Sequence, residues 1–355
     1  MKKLLACLVA CVLLLTSCGM GEEIDSLGIV AGAAFDKPET DGNINMTACI
    51  LRVSGGGSGS GEDEKEGASK EFVIVNSEAP SFYEAQSRMM LKIERRPFWG
   101  HNNIILASED VDLKPIIQAF YNGYDKRGSE YVVVTKGKAA DVFESSNFAG
   151  SIATMSINEI LGMARQNGNI TSVNVDELYA KMQSKSRTAY LPYGETEDEK
   201  FTFRGMCVVR DYAFRGALSP DESVGGLIVL NDYNSGGISV QLGEAQAGVE
   251  LLDTLSTVDC TEDGQFDISV KADYSVQDIN GETKLDNHTV KEIVDAALKS
   301  KIEQAIQKSM ELDADYMNFA DVYYRKFARE MPGDFKSSQF KVTVDGKLKF
   351  KGIEY

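Results

Sequence analysis

The chain has 355 residues, of which 43% are hydrophobic and 26% are charged, and its formal net charge at pH 7 is −17. This length allows a large buried core and more than one domain. The excess of carboxylates repels nucleic-acid phosphates and anionic lipid headgroups, so the composition argues against nucleic-acid binding and against electrostatic adhesion of the whole body to a membrane.

The amino-terminal segment, residues 1–17, is predicted to be an export signal that is removed. Lys2 and Lys3 precede an apolar run of 12 residues, 4–15. As a helix this run would span about 18 Å, which is too short for the ~30 Å hydrocarbon core of a bilayer. The segment therefore indicates export and not a membrane-spanning helix.

The end of this segment, Leu15-Thr16-Ser17-Cys18, resembles the lipobox of bacterial lipoproteins. The resemblance implies cleavage between Ser17 and Cys18, a diacylglyceryl group on the Cys18 thiol and an acyl chain on its new amino group. Two or more acyl chains anchor a protein stably, whereas one chain gives only marginal binding. The alternative is an ordinary signal peptide with a chance cysteine. No cofactor other than this covalent lipid is expected.

Three cysteines remain beyond the signal and the lipid site: Cys49, Cys207 and Cys260. Each lies in an apolar, strand-like run, and a small buried hydrophobic side chain is the favoured interpretation of all three. One disulfide among them is the alternative. The chain contains no C-x-x-C spacing, so a zinc or redox motif is not predicted.

An amino-terminal α+β domain is predicted over residues 18–190, where strand-like runs alternate with helical ones. Residues 54–69 consist mainly of Gly, Ser and acidic side chains and lack the G-K-[ST] ending of a phosphate-binding loop, so they predict an exposed loop. Ser81 is placed to cap a helix that ends at Pro97. Residues 140–186 are predicted to be mainly helical.

A β-rich middle domain is predicted over residues 191–262. Its apolar runs are short and are separated by turn residues, a pattern typical of an antiparallel meander. A tight turn is predicted at Arg210-Asp211, and the run GGLIVLND at 225–232 is interpreted as one of the strands.

A carboxy-terminal α+β domain is predicted over residues 263–355. A long helix begins at Asp286 and carries an apolar stripe, which faces the core or, alternatively, a partner groove. The last segment is either one strand or a hairpin that turns at Asp345-Gly346. The predicted fold class is therefore α+β with three domains, mixed and antiparallel sheets with helices packed on them, and a long amphipathic helix near the carboxyl terminus.

Catalytic and metal-binding motifs are not recognised in the sequence. The chain has two histidines, His101 and His288, and neither lies in H-E-x-x-H or a similar spacing. Neither a G-x-S-x-G elbow nor an S-x-x-K acylating motif with its companions is present. A glycosidase-like carboxylate pair is left open, because 54 acidic residues would supply such a pair by chance. The prediction is that the protein is not an enzyme, and no metal site is predicted.

The most distinctive stretch is EAQSRMMLKIERRPFWGHNNIILASED, residues 84–110. It combines a helix, a basic corner, two aromatic residues and an apolar strand. The favoured interpretation is that Phe98 and Trp99 cover the edge of the core where the helix meets the strand. The alternative is an exposed contact for a partner protein, formed by Phe98, Trp99 and His101.

Several segments, taken in order, resemble the Ger(x)C family, the C-subunit lipoproteins of spore germinant receptors in endospore-forming bacteria. The order and spacing of the segments carry the resemblance, and no single segment decides it. Besides the lipobox, the matching segments are LGIVAGAAFDK, GHNNIILASE, DKRGSEYVVVTKGKAADVFE, FRGMCVVRDYAFRGALSPDESVGGLIVLND, IQKSMELDADYMNFADVYYRKF and FKVTVDGKLKFKG.

The resemblance implies a three-domain α+β protein without enzymatic activity, anchored by lipid on the outer face of the spore inner membrane. Its implied partners are two integral membrane subunits of the receptor, of the A and B types, and no small-molecule ligand is expected. A different class of protein, the solute-binding lipoprotein of an ABC-type transporter, is the alternative. That class needs two α/β lobes around a ligand cleft. The predicted long helix and the predicted meander fit this architecture poorly. A lipoprotein hydrolase has only the abundant carboxylates in its favour.

Overall fold

The structure is a computed structural model, and it describes residues 27–52, 72–123, 126–148, 152–164, 168, 170–233, 235–281 and 286–351. The predicted signal, Ser17, Cys18 and the predicted loop at 54–69 lie outside these residues.

The first sheet contains nine strands in the order β3-β2-β1-β5-β6-β7-β8-β9, with β4 paired to β1. The central strands β1, β5, β6 and β7 run parallel to one another. The strands on the two sides pair in antiparallel fashion: β2 with β1 and β3 on one side, and β8 with β7 and β9 on the other. The bounds are β1 Leu27–Asp36, β2 Ile44–Leu51, β3 Phe72–Ala79, β4 Arg96–Phe98, β5 Ile104–Ser108, β6 Tyr131–Lys136, β7 Thr188–Glu197, β8 Lys200–Arg210 and β9 Ala213–Ala217.

Four helices pack on this sheet: α1 Phe82–Met89, α2 Leu113–Asn122, α3 Ala153–Gly162 and α4 Val175–Met182. The predicted cap of α1 is confirmed, since the Ser81 hydroxyl accepts a hydrogen bond from the Glu84 backbone N–H at 3.2 Å. Residues Ala139–Glu144 form a 3₁₀ helix. All five residues of β5 are buried, as expected for a central parallel strand covered on both faces.

The second sheet has four strands in the order β10-β11-β12-β13. Its last two strands are parallel, and the other pairs are antiparallel. The bounds are β10 Gly236–Leu242, β11 Ala245–Cys260, β12 Gln265–Asn280 and β13 Gln339–Lys351, with helices α5 Pro220–Leu230, α6 Asn287–Glu311 and α7 Phe319–Phe327. The α+β fold class with mixed and antiparallel sheets is confirmed.

The long helix predicted from Asp286 is α6, and the Asp286 carboxylate caps it by accepting a hydrogen bond from the Thr289 N–H at 2.8 Å. Its apolar stripe faces the core, since Val290, Val294 and Leu298 are fully buried. None of the helices in the described part of the chain is long and apolar enough to cross a membrane.

The run GGLIVLND is not a strand, because its first six residues belong to helix α5. Ser219 accepts a hydrogen bond from the Glu222 N–H at 3.2 Å, and the Glu222 carboxylate accepts one from the Ser219 N–H at 2.6 Å. This capping box, followed by Pro220 at the first helical position, starts the helix. Residues 223–229 are all buried, and a helix that is buried all round shows no helical periodicity.

The predicted domain boundaries after residues 190 and 262 lie at paired strands. The boundary after residue 190 falls within β7, which pairs with β6 through Tyr193 and with β8 along its whole length. The boundary after residue 262 falls in the turn between β11 and β12, which are antiparallel partners. Strands β7, β8 and β9, residues 188–217, pair into the first sheet, and the division into three domains stays a prediction.

The two predicted turns have different outcomes. Strands β8 and β9 form a hairpin, with Asp211 at φ 52° and Tyr212 at φ 67°, the positive values that a tight primed turn requires. Asp345 and Gly346 do not turn, because β13 continues through them alongside β12. A Cβ on Gly346 would lie 2.4 Å from Cε1 of Tyr274, so this glycine lets the tyrosine ring pack against the strand.

The three cysteines beyond the lipid site are free and buried, which confirms the favoured interpretation. Burial raises the pKa of the Cys49 thiol to about 12, and it also raises the pKa of the Cys207 and Cys260 thiols. The thiolate is the reactive form of cysteine, so burial and the raised pKa lower the reactivity of these three side chains in the folded protein.

A buried carboxyl group organises the start of α7. Asp315 is 6% exposed, and its carboxylate accepts hydrogen bonds from the N–H groups of Phe319 at 2.9 Å and Ala320 at 2.7 Å. Burial raises the pKa of Asp315 from its ordinary value of 3.8 to about 6, although these hydrogen bonds favour the ionised form.

The raised pKa of Asp315 makes stability depend on pH. The folded state holds the proton more tightly than the unfolded state, so this contribution is complete below the ordinary pKa of 3.8 and is lost as the pH rises to about 6. A shift of this size corresponds to about 3 kcal/mol. We expect the unfolding free energy of the wild type, relative to Asp315→Asn, to fall by that amount between about pH 3 and about pH 7 in urea titrations. A difference that stays constant over this range would contradict the assignment.

Candidate partner-contact surface

The predicted contact residues lie at a corner between β4 and β5. Strand β4 runs parallel to the start of β1, with Leu27 opposite Arg96 and Ile29 opposite Phe98. A 3₁₀ turn, Trp99–His101, follows directly. We call residues 98–101 the aromatic corner.

Trp99 belongs to the core and not to the surface of the aromatic corner. Its side chain is fully buried, and its ring centroid lies 5.4 Å from that of Phe82 and 5.9 Å from that of Phe120. The indole is therefore held between α1 and α2, as the core interpretation expects. Among the described residues its Nε1–H has no hydrogen-bond partner.

Phe98 and His101 lie at the surface of the aromatic corner. His101 is exposed and Phe98 is partly buried, and their ring centroids are 5.6 Å apart in an edge-to-face arrangement. Gly100 makes this possible, because a Cβ at this position would lie 2.7 Å from Cζ of Phe98. The exposed imidazole of His101 therefore lies against the phenyl ring of Phe98 at the surface.

A groove of about 460 Å³ lies beside the aromatic corner, between the ends of β2 and β3 and the segment that follows α1. Its lining combines apolar side chains with three cationic ones and one carboxylate: Ile50, Leu51, Arg52, Val73, Lys92, Ile93, Glu94 and Arg95. The basic residues at 92–96 are evident in the sequence, but their position next to β1 depends on the pairing of β1 with β4.

The buried ionisable groups of the first sheet have structural roles. The Asp36 carboxylate accepts hydrogen bonds from the N–H groups of Ala139 at 2.6 Å and Ala140 at 3.2 Å, and burial raises its pKa. Burial lowers the pKa of Lys181, whose Nζ lies 4.7 Å from the ring centroid of Tyr190. Among the described residues no three His, Cys, Asp or Glu side chains are grouped closely enough to hold a metal ion.

Polar contacts join the two sheets through their helices and loops, a feature that sequence reasoning missed. Arg210 at the end of β8 forms an ion pair with Asp313, with Nη1 and Oδ2 2.9 Å apart. The Asp321 carboxylate on α7 accepts hydrogen bonds from the N–H groups of Lys185 at 3.0 Å and Ser186 at 3.1 Å. The aromatic corner is thus part of a body in which both sheets are directly connected.

Ser17 and Cys18 lie outside the described residues, so the cleavage site and the lipid attachment stay predictions. Leu27, the first of the described residues, lies opposite Arg96 in the β1–β4 pair.

Comparison with known protein families covers almost the whole chain beyond the predicted signal. The sequence profile described as "Spore germination protein N-terminal domain" matches residues 21–196, and the profile "Spore germination B3/ GerAC like, C-terminal" matches residues 204–352. The chain belongs to the Ger(x)C family. The resemblance noted in the sequence is therefore confirmed, and the family is one of germinant receptor subunits.

Individual relatives agree with this assignment. Spore germination protein KC of Bacillus subtilis (strain 168) is 22% identical over 367 residues, which cover 91% of this chain and 88% of KC. Spore germination protein A3 of the same organism is 25% identical over 233 residues, which cover 62% of this chain and 59% of A3, less than two thirds of that relative. The crystal structure of the GerBC protein shares the fold, with a TM-score of 0.56, 16% identity, and coverage of 92% of this chain and 100% of GerBC.

Proposed function

We propose that this Ger(x)C protein is the lipid-anchored subunit of a spore germinant receptor and acts in receptor assembly and nutrient-triggered germination. The observation that carries the proposal is the family match over both halves of the chain, 21–196 and 204–352. The lipobox-like sequence ending at Cys18 supplies the anchor.

The proposed mechanism is contact between proteins and not catalysis. Acyl chains on Cys18 confine the body to the outer face of the spore inner membrane, which raises its effective concentration near the A- and B-type integral membrane subunits. Binding of the nutrient is assigned to those subunits, so this chain needs no small-molecule site. The lack of a His, Cys, Asp or Glu cluster among the described residues is compatible with this mechanism.

The intact mass of the natively isolated protein tests the anchor. We expect a chain that begins at Cys18 and carries a diacylglyceryl group with an additional acyl chain. A mature form that begins elsewhere, or that has no fatty acid, would contradict the proposal. A thermal shift of several degrees with one amino acid, sugar or peptide would favour a solute-binding lipoprotein instead.

The aromatic corner is the proposed partner contact, through Phe98 and His101. Because His101 is exposed, His101→Ala should change the free energy of unfolding by no more than about 0.5 kcal/mol. The same substitution is expected to reduce co-purification of the membrane subunits from detergent-solubilised spore membranes.

A matched control for His101→Ala is His288→Ala, since the His288 side chain is 78% exposed and lies at the start of α6 in the other half of the chain. If both variants recover the membrane subunits as well as the wild type does, and Phe98→Ala does too, the aromatic corner is not the contact.

A further inference from the structure

Strand β3 lies at one edge of the first sheet. Among the described strands it pairs only with β2, and a sheet edge offers backbone N–H and C=O groups to which another chain can add a strand. Residues 72–77 of β3 carry no charge, and four of them are Phe, Val or Ile, which favour strands. Two copies of this strand would therefore meet without repulsion between like charges.

Two cations, one on α1 and one just after it, bind the backbone of this edge. Nη1 of Arg88 donates a hydrogen bond to the carbonyl oxygen of Glu78 at 2.7 Å, and Nζ of Lys92 donates one to that of Asn76 at 2.7 Å. Residues 76 and 78 are two positions apart, so their carbonyl groups point to the same side of the strand. Acceptors that a second strand would need are thus already occupied.

Arg88 is held in this position by its own helix. Its Nη2 lies 2.6 Å from Oε1 of Glu84, which precedes it by one turn of α1. The guanidinium therefore bridges a carboxylate on the helix and a carbonyl on the strand. Hydrogen bonds from an ionised donor are stronger than those between neutral groups, so an incoming strand would have to displace two strong bonds.

The second sheet has comparable protection at its strands. Strand β13, which lies at one edge of that sheet among the described strands, carries exposed lysines such as Lys341 and Lys347, and lysines on an edge keep two copies apart. Strand β10 covers β11 only over residues 245–251, and beyond them Nζ of Lys326 donates to the carbonyl oxygen of Cys260 at 2.6 Å. Residues 72–77 contain no lysine, so at β3 neighbouring side chains supply the cations.

We propose that Arg88 and Lys92 close the edge of β3 against a second copy of this chain and so keep the protein monomeric. The inference goes beyond the proposed function and does not depend on the lipid anchor. Confinement of the protein to a membrane plane would raise the local concentration of copies, which makes such protection more important.

The double substitution Arg88→Met with Lys92→Met tests the inference, because methionine keeps a long side chain but cannot donate these hydrogen bonds. Sedimentation velocity of the full-length protein in detergent, over a range of concentrations, measures self-association. The double variant is expected to dimerise roughly tenfold more tightly than the wild type or better, since a second strand no longer has to displace two charge-assisted hydrogen bonds.

A matched control is Lys114→Met with Lys299→Met, which also replaces two exposed cations on helices. Lys299 pairs with Glu303 one turn along α6, as Arg88 pairs with Glu84 on α1. This variant should associate no more than the wild type does. If it dimerises as tightly as the Arg88→Met and Lys92→Met variant, loss of surface charge explains the association and the inference is wrong.

A lysine on the strand itself should restore the monomer. Asn76 is exposed on β3, and Asn76→Lys added to the double variant places a charge on each of two facing strands. Ile74→Lys, on the same face of β3, is the second variant and should act in the same way, and circular dichroism checks that each protein is folded. The inference would be overturned by a double variant that stays as monomeric as the wild type, or by association that neither lysine reverses.

Discussion

Cys18→Ala is expected to move the protein from the membrane fraction of spores into the soluble fraction. Without the thiol no diacylglyceryl group can be attached, and acyl chains contribute about 0.8 kcal/mol for each buried CH₂ group. Fractionation followed by immunoblotting measures the distribution.

The same substitution should strongly delay nutrient-triggered germination, measured as the fall in optical density of a spore suspension. The reason is that an unanchored subunit loses the effective concentration that the membrane plane provides. Cys260→Ala is the matched control, because it removes another cysteine but leaves the lipobox intact. A Cys18→Ala protein that remains in salt-washed membranes would refute the anchor. Release from membranes with normal germination, in a strain without paralogues, would refute the role in the receptor.

Elements that depend on local patterns were predictable from the sequence. The start of helix α6 was predicted correctly, because Asp286 caps the helix and its apolar stripe repeats every three to four residues. The hairpin between β8 and β9 was predicted with its turn at Arg210-Asp211, one position before the observed turn at Asp211-Tyr212. Such features are encoded within one element and its flanking residues.

Features that depend on distant partners were not predictable in this way. The strand β7 joins the first sheet because β6 lies beside it with Val134 opposite Tyr193, and no local signal in β7 reports that pairing. The helix α5 is a different case. Its Ser219-Pro220-Asp221-Glu222 start is a recognisable capping signal, but the buried run that follows also fits a strand.

The candidate site also combines features that depend on local patterns with features that depend on distant partners. Cys18 and the aromatic corner were predicted from residue types and spacing, and their roles stay predictions. The burial of Trp99 was the favoured interpretation, yet its position between Phe82 and Phe120 required the packing of α1 and α2. The position of Arg96 beside Leu27 depends on the β1–β4 pair, a contact between residues about 70 positions apart. Long-range pairing, not composition, therefore decides which residues lie together next to the aromatic corner.

Gly225→Ala is expected to lower the free energy of unfolding by about 3 kcal/mol or more, at the upper end of the range for overpacked cores. Gly225 lies where α5 crosses α6, and a Cβ there would be 2.1 Å from the carbonyl oxygen of Lys301 and 2.5 Å from its carbonyl carbon. These are backbone atoms of a helix and cannot rotate away, so the two helices would have to separate. The ion pair between Lys301 and Asp221 would be strained at the same time.

A matched control for Gly225→Ala is Gly162→Ala in α3. A Cβ at position 162 meets no atom within 4 Å, so this substitution should stabilise the helix by about 0.5–1 kcal/mol. Urea unfolding followed by circular dichroism measures both variants. Helix α5 follows β9 of the first sheet directly, and α6 packs on the second sheet, so their close approach positions one sheet relative to the other. If Gly225→Ala costs less than about 1 kcal/mol, the backbone contact is not what holds α5 against α6.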